Sequence, residues 1–236
     1  MKTIFTTIIA LTMFTFTSCK KEVEKETDKE ADLEMEAPVV EVPAFEPFQV
    51  MAITHTVKNY NIWKKGFVED EINRTDCGLT LRSLARGTDN PNKIYIFLNV
   101  ADMQKAKDFI TNPKLKTVMQ KFGVISKPEI NYVDVVRFEE SPSEFKDRVR
   151  VSIKIKDFDS WLKVYDGEGA AIRLENGLVD RAISKNVDDP NMIYVTFAVS
   201  DMAKAKTYMK APELKRLMTE AGVISNPIFD FFTNVE

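Results

Sequence analysis

Residues 89–128 read Asp89-Asn90-Pro91-Asn92, an apolar run, Asp102-Met103-Gln104-Lys105-Ala106-Lys107, Pro113-Lys114-Leu115-Lys116 and Gly123-Val124-Ile125-Ser126-Lys127-Pro128. Residues 188–227 give the same order as Asp188-Asp189-Pro190-Asn191, an apolar run, Asp201-Met202-Ala203-Lys204-Ala205-Lys206, Pro212-Glu213-Leu214-Lys215 and Gly222-Val223-Ile224-Ser225-Asn226-Pro227. Pro190 follows Pro91 by 99 residues, and the other matched positions keep that offset. A repeat of this length is a whole supersecondary unit, so the 236 residues divide into two small domains rather than one large one.

Working outward from the repeat, each copy resolves into strands and helices. The first strand is expected at Val50–Val57 and again at Val149–Ile155. Tyr60, Trp63 and Phe67 then recur at helical spacing, matched by Phe158, Trp161 and Tyr165, and both tryptophans read as core anchors. Gly78 and Gly177 precede second strands starting at Leu79 and Leu178, and third strands follow over Lys93–Val100 and Met192–Val199. Between them the Pro-Asn pairs suit a turn, because proline presets φ.

Asp102 and Asp201 are expected to cap a second helix, which Pro113 and Pro212 break and restart. Gly123 and Gly222 sit where a left-handed C′ residue is needed, and Pro128 and Pro227 lead into a fourth strand. The order β-α-β-β-α-β is the α+β ferredoxin-like plan, with helices on one sheet face. The other face would carry Tyr95, Phe97 and Asn99 in one copy and Tyr194, Thr196 and Ala198 in the other. Burying both open faces requires the repeats, residues 49–140 and 147–236, to pair within the chain.

These residues resemble a known family. Lys58-Asn59-Tyr60-x-x-Trp63, Arg74-x-x-x-Gly78, the Asp-x-Pro-Asn turn, Asp-Met-x-Lys-Ala-Lys, Pro-x-Leu-Lys and Gly-Val-Ile-Ser-x-Pro are similar to the dimeric α/β-barrel superfamily. They look most like its antibiotic biosynthesis monooxygenase-type domains. Members of that superfamily usually hold one repeat and dimerise, so the resemblance implies an internal pseudo-dimer here. It also implies a small-molecule cavity and, if there is chemistry, a cofactor-independent oxygenase or isomerase. No cofactor is called for.

The start of the chain reads as an address. Lys2 is followed by an apolar segment, Ile4 to Phe16, too short to cross a bilayer. Phe16-Thr17-Ser18-Cys19 resembles the lipobox of bacterial lipoproteins. That resemblance implies a signal peptide over residues 1–18, acylation of Cys19 and attachment to a lipid bilayer. Lys20 stands where inner-membrane lipoproteins usually carry Asp, so the outer membrane is implied. Residues 19–48 are first charged and then proline-rich, too poor in apolar side chains to fold, and read as a tether.

Composition removes other classes. A net charge of −3 gives no footprint for nucleic acid. An RNA-binding domain of the same strand order is opposed by Thr196, which stands where a second aromatic would stack. With two cysteines and one histidine there is no metal-ligand cluster, and Cys77, matched by Asn176, reads as incidental.

The candidate site residues follow from the repeat. His55, opposite Ile153, is either an acid–base group facing a cavity or a buried structural imidazole. Arg82 with Arg181, and Arg74 with Arg173, recur in both copies. They would bind a carboxylate or phenolate at a barrel mouth, or form local ion pairs such as Arg74 with Asp76 and Arg173 with Glu175. Tyr95 and Tyr194 are symmetric candidates for holding a flat organic ligand. Two functions stay open: binding of a small apolar or aromatic molecule between the halves, or a non-catalytic interaction module with a side-chain-filled barrel.

Overall fold

Residues 45–236 are described by a computed structural model, and the duplicated stretch traces the same path in it twice. The first repeat runs β1 (Phe48–Thr56), α1 (Tyr60–Glu69), α2 (Glu71–Asp76), β2 (Leu79–Gly87), β3 (Lys93–Val100), α3 (Met103–Thr111), α4 (Pro113–Lys121) and β4 (Glu129–Phe138). The second runs β5 (Asp147–Lys154), α5 (Phe158–Glu168), α6 (Ala170–Glu175), β6 (Leu178–Asn186), β7 (Met192–Val199), α7 (Met202–Tyr208), α8 (Pro212–Glu220) and β8 (Ile228–Asn234). The signal segment and Cys19 lie outside the described residues.

Local chemistry accounts for the motif. Asp102 accepts from the Lys105 amide at 3.0 Å, and Asp201 from those of Ala203 and Lys204. At the other end Gly123 and Gly222 take φ of +82° and +79°, and the amides of Val124 and Val223 close back on the carbonyls of Met119 and Met218. The following Ile-Ser pair then zips onto the first strand. Ile125 donates to the Thr56 carbonyl, and the Thr56 amide donates to Ser126 Oγ; Ile224 and Ser225 do the same with Lys154. In the Asp-x-Pro-Asn turns the residue before proline is the organiser, Asn90 accepting from Asn92 and Asp189 from Asn191.

The sheet is one closed barrel in the order β1-β3-β2-β8-β5-β7-β6-β4, all neighbours antiparallel. Each repeat contributes four strands, and the edges meet at β4 against β6 and β2 against β8. Closure leaves no free edge, so every strand is paired on both sides. Alternation then divides the residues cleanly. Met51 and Ile53 join Trp63 and Leu98 under the first repeat's helices, while Val50 and Ala52 face the lumen. The second repeat packs Val151, Ile153, Trp161 and Phe197 in the same way.

Candidate functional site

Space opens on both sides of the barrel wall. Beneath the helices of the first repeat is a chamber of about 630 Å³, walled by Ile53, Trp63, Leu98, Leu115, Val118, Met119, Phe122 and Ile130. The second repeat has the corresponding space, lined position for position, but only about 60 Å³ of it. The difference follows from side-chain size. Leu98 is matched by Phe197, Val118 by Leu217 and Ile130 by Phe229, each larger in the closed copy. Gly66 and Phe122 are a compensated swap for Val164 and Ala221, since a Cβ on Gly66 would lie 2.1 Å from the Phe122 ring.

His55 lines the open chamber. It pairs with Ile94 across the β1–β3 ladder and so falls on the helix face, outside the lumen. It is 5% exposed, its ring centre is 5.5 Å from that of Trp63, and neither ring nitrogen has a hydrogen-bond partner among the described residues. Burial pushes its pKa down to about 4, so the imidazole is neutral at neutral pH.

The arginines of the two helix sides differ as sharply as the chambers. Arg173 donates bidentately to Asp180 (2.7 Å twice), to Glu168 at 3.0 Å and to the Tyr165 carbonyl at 2.8 Å. Tyr165 also donates to Asp180, and Tyr208 to Glu168. Burial works against the Arg173 charge, but Asp180, Tyr165 and Glu168 outweigh it and hold its pKa above the usual value. In the first repeat Leu81 stands at the position of Asp180. Arg74 is left with the Phe67 carbonyl at 2.6 Å, Asp70 at 3.7 Å and the Phe67 ring beneath it, and burial depresses its pKa despite Asp70. The ion-pair partners read from the sequence, Asp76 and Glu175, are therefore corrected to Asp70, Glu168 and Asp180. Asp76 and Glu175 are the last residues of α2 and α6, whereas Asp70 caps α2 one turn before Arg74, Glu168 lies on α5 and Asp180 on β6.

The lumen holds a second space, about 520 Å³. Arg82 and Arg181 enter it by the same device: β2 slips register between Leu81 and Ser83, and β6 between Asp180 and Ala182, making each arginine the extra residue of a bulge. The tyrosines cross between the repeats. Tyr95 donates to Asp230 of β8 at 2.9 Å, and Tyr194 to Asn131 of β4 at 3.0 Å. Tyr194 lines the cavity; Tyr95 lies behind Phe232, stacked at 4.8 Å, and burial pushes its hydroxyl up to about 12. Arg148 and Arg150, absent from the sequence-based candidates, also line it. Their signal was present in the alternation Arg148-Val149-Arg150-Val151-Ser152-Ile153, whose apolar half fills the helix side. The structure thus brings Arg82, Arg181 and Tyr194 together in the lumen and separates them from His55, Arg74 and Arg173.

No protein-family model and no curated protein matches the sequence. Solved structures do match. An anthrone oxidase-like protein aligns with a TM-score of 0.55 at 12% identity, covering 80% of this chain and 92% of its own. A candidate chlorite dismutase aligns at 0.52 and 10% identity, covering 81% and 96%. A candidate monooxygenase of Fusobacterium nucleatum aligns at 0.51 and 13%, covering 80% and 93%. What these structures share with this chain is the fold, an eight-stranded closed α/β barrel, built here from two β-α-β-β-α-β repeats within one polypeptide.

Proposed function

We propose that this protein binds a small, largely apolar or aromatic molecule in the chamber beneath the helices of its first repeat. The observation that carries this reading is the inequality of two equivalent spaces, about 630 Å³ against about 60 Å³. Packing is ordinarily tight, and the closed copy demonstrates that this fold can fill the space with its own side chains. Keeping the other copy open, with a neutral imidazole and an under-compensated guanidinium on an apolar wall, suits a ligand with an apolar body and a polar group. Space filled by the chain's own side chains describes the helix side of the second repeat.

Binding is better supported than acid–base catalysis. A base held at about 4 lies roughly 2.5 units below an ordinary imidazole, which handicaps proton abstraction by about 3 kcal/mol. His55 is suited to donate or accept one hydrogen bond to the ligand. Cys19, acylated, would hold the barrel at the outer membrane through residues 20–48.

The test is native mass spectrometry of the full-length protein released from detergent micelles, beside the variant Val118→Leu/Ile130→Phe, which moves the open chamber toward the closed one. A small molecule retained by the wild type and lost from the variant is expected. An apo mass across growth conditions, or equal retention by the variant, refutes the reading.

A further inference from the structure

We infer that the barrel lumen is a second, separate binding site, for a small organic carboxylate. Four arginines, Arg82, Arg148, Arg150 and Arg181, line its 520 Å³, and among the described residues no Asp or Glu does. Asp230 lies behind the wall and is already committed, accepting from Lys93 at 2.8 Å, Tyr95 at 2.9 Å and Arg150 at 3.1 Å. Arg150 is 5% exposed, yet its Nε has no partner among the described residues. Burial, and then the neighbouring Arg181, depress the Arg148 guanidinium, and burial depresses that of Arg82.

The protein's own structural arginine shows what a compensated site looks like: Arg173 is saturated by two carboxylates and a carbonyl. Arg150 shares Asp230 with Lys93 and Tyr95, whereas Arg82, Arg148 and Arg181 are positioned without a carboxylate partner among the described residues. Arg82 is held between the rings of Phe48 and Phe138, at 4.3 and 4.4 Å, and donates to Asn99. Arg181 donates to the carbonyls of Glu139 and Ser141 at 2.7 Å each, and Arg148 to those of Phe145 and Asp147. Ring faces and carbonyls fix a guanidinium plane without cancelling its charge, so the cluster is set for an anion.

The remaining walls choose the kind of anion. Val50, Val133, Val135, Phe97 and Phe232 offer an apolar surface that an inorganic ion would leave uncovered. A carboxylate matches the planar fork of arginine bidentately, and an organic body covers the rest. Asn234 Oδ1, without a partner among the described residues, adds an acceptor for a ligand hydroxyl. Arg82, exposed at the bulge, marks the mouth.

The experiment is calorimetric titration of the full-length protein with 4-phenylbutyrate and its neutral isostere 4-phenylbutyramide. The acid should bind at least tenfold more tightly than the amide. Arg150→Met and Arg148→Met should each remove that preference, and Arg74→Met, in the helix-side chamber, should keep it. Arg148 forms no ion pair among the described residues, so Arg148→Met, with its fold checked by circular dichroism, keeps the test free of Asp230. Equal affinity for acid and amide overturns the inference. So does an acid preference that survives Arg148→Met and Arg150→Met but falls in Arg74→Met, or displacement of the acid by equimolar inorganic phosphate. The chamber variant Val118→Leu/Ile130→Phe should leave the acid preference intact, which separates failure here from failure of the helix-side reading.

Discussion

Replacing His55 with isoleucine, the residue the second repeat uses at the same place, should stabilise the protein. The side chain is 5% exposed and both its ring nitrogens lack partners among the described residues. A buried polar group left unsatisfied costs about 1–3 kcal/mol, and isoleucine removes that cost while keeping apolar contact with Trp63. A gain of about 1–3 kcal/mol at pH 7 would raise the melting temperature by about 2–4 °C per kcal/mol in a domain of this size. The pH dependence makes the argument sharper. The folded-state pKa of about 4 lies below the ordinary 6.5, so between those values the unfolded chain binds more protons, and stability falls as pH falls. A difference of roughly 2.5 units corresponds to about 3 kcal/mol lost by the wild type between pH 7 and pH 4, and not by His55→Ile. His55 is the only histidine in the chain, and the carboxylates titrate alike in both proteins, so the difference between the two isolates it. Urea unfolding of each at pH 7 and pH 4.5 is the assay. Parallel pH profiles, or a less stable variant at pH 7, would sink the reasoning, because either means that the imidazole is satisfied in the folded protein.

Three further outcomes are expected. Arg173→Met should cost about 3–5 kcal/mol in denaturant unfolding, because it strands Asp180 and Glu168, whereas Arg74→Met should cost distinctly less; equal losses would contradict the asymmetry of the two networks. Gly66→Val should destabilise by about 1–3 kcal/mol through its collision with Phe122, and adding Phe122→Ala, the second repeat's combination, should recover most of it. Strict additivity of the two changes would show that they are not one swap. Cys19→Ser should abolish incorporation of an alkyne-tagged palmitate in cells and release the protein from the membrane fraction; labelling that persists would remove the anchoring proposal.

The duplicated stretch carried its own local structure because everything in it is settled within a few residues. Asp102 meets an amide three residues on, Pro113 cannot continue a helix, and Gly123 alone tolerates the reversal that follows. The repeat, the strand order and the pairing of the two copies were legible for the same reason: they need only periodicity and the requirement that apolar faces be covered. The two faces of β5 are legible as well, in an alternation whose apolar half packs under the helices and whose Arg148 and Arg150 line the lumen.

What the sequence could not supply is relative placement. His55 and Tyr95 sit on strands whose alternation is plain, but which face meets the helices is set by the β1–β3 register, in which His55 lies opposite Ile94. The bulges that turn Arg82 and Arg181 into the lumen are counts of one strand against another, invisible along either alone. Cavity volume is more remote still, because it is a small difference between the space the backbone encloses and the side chains that fill it. Local hydrogen bonds and hydrophobic periodicity thus determined the two β-α-β-β-α-β repeats and the need for them to pair. Only tertiary packing decided that one repeat is open where the other is closed, and that four arginines share a lumen whose wall, among the described residues, carries no carboxylate.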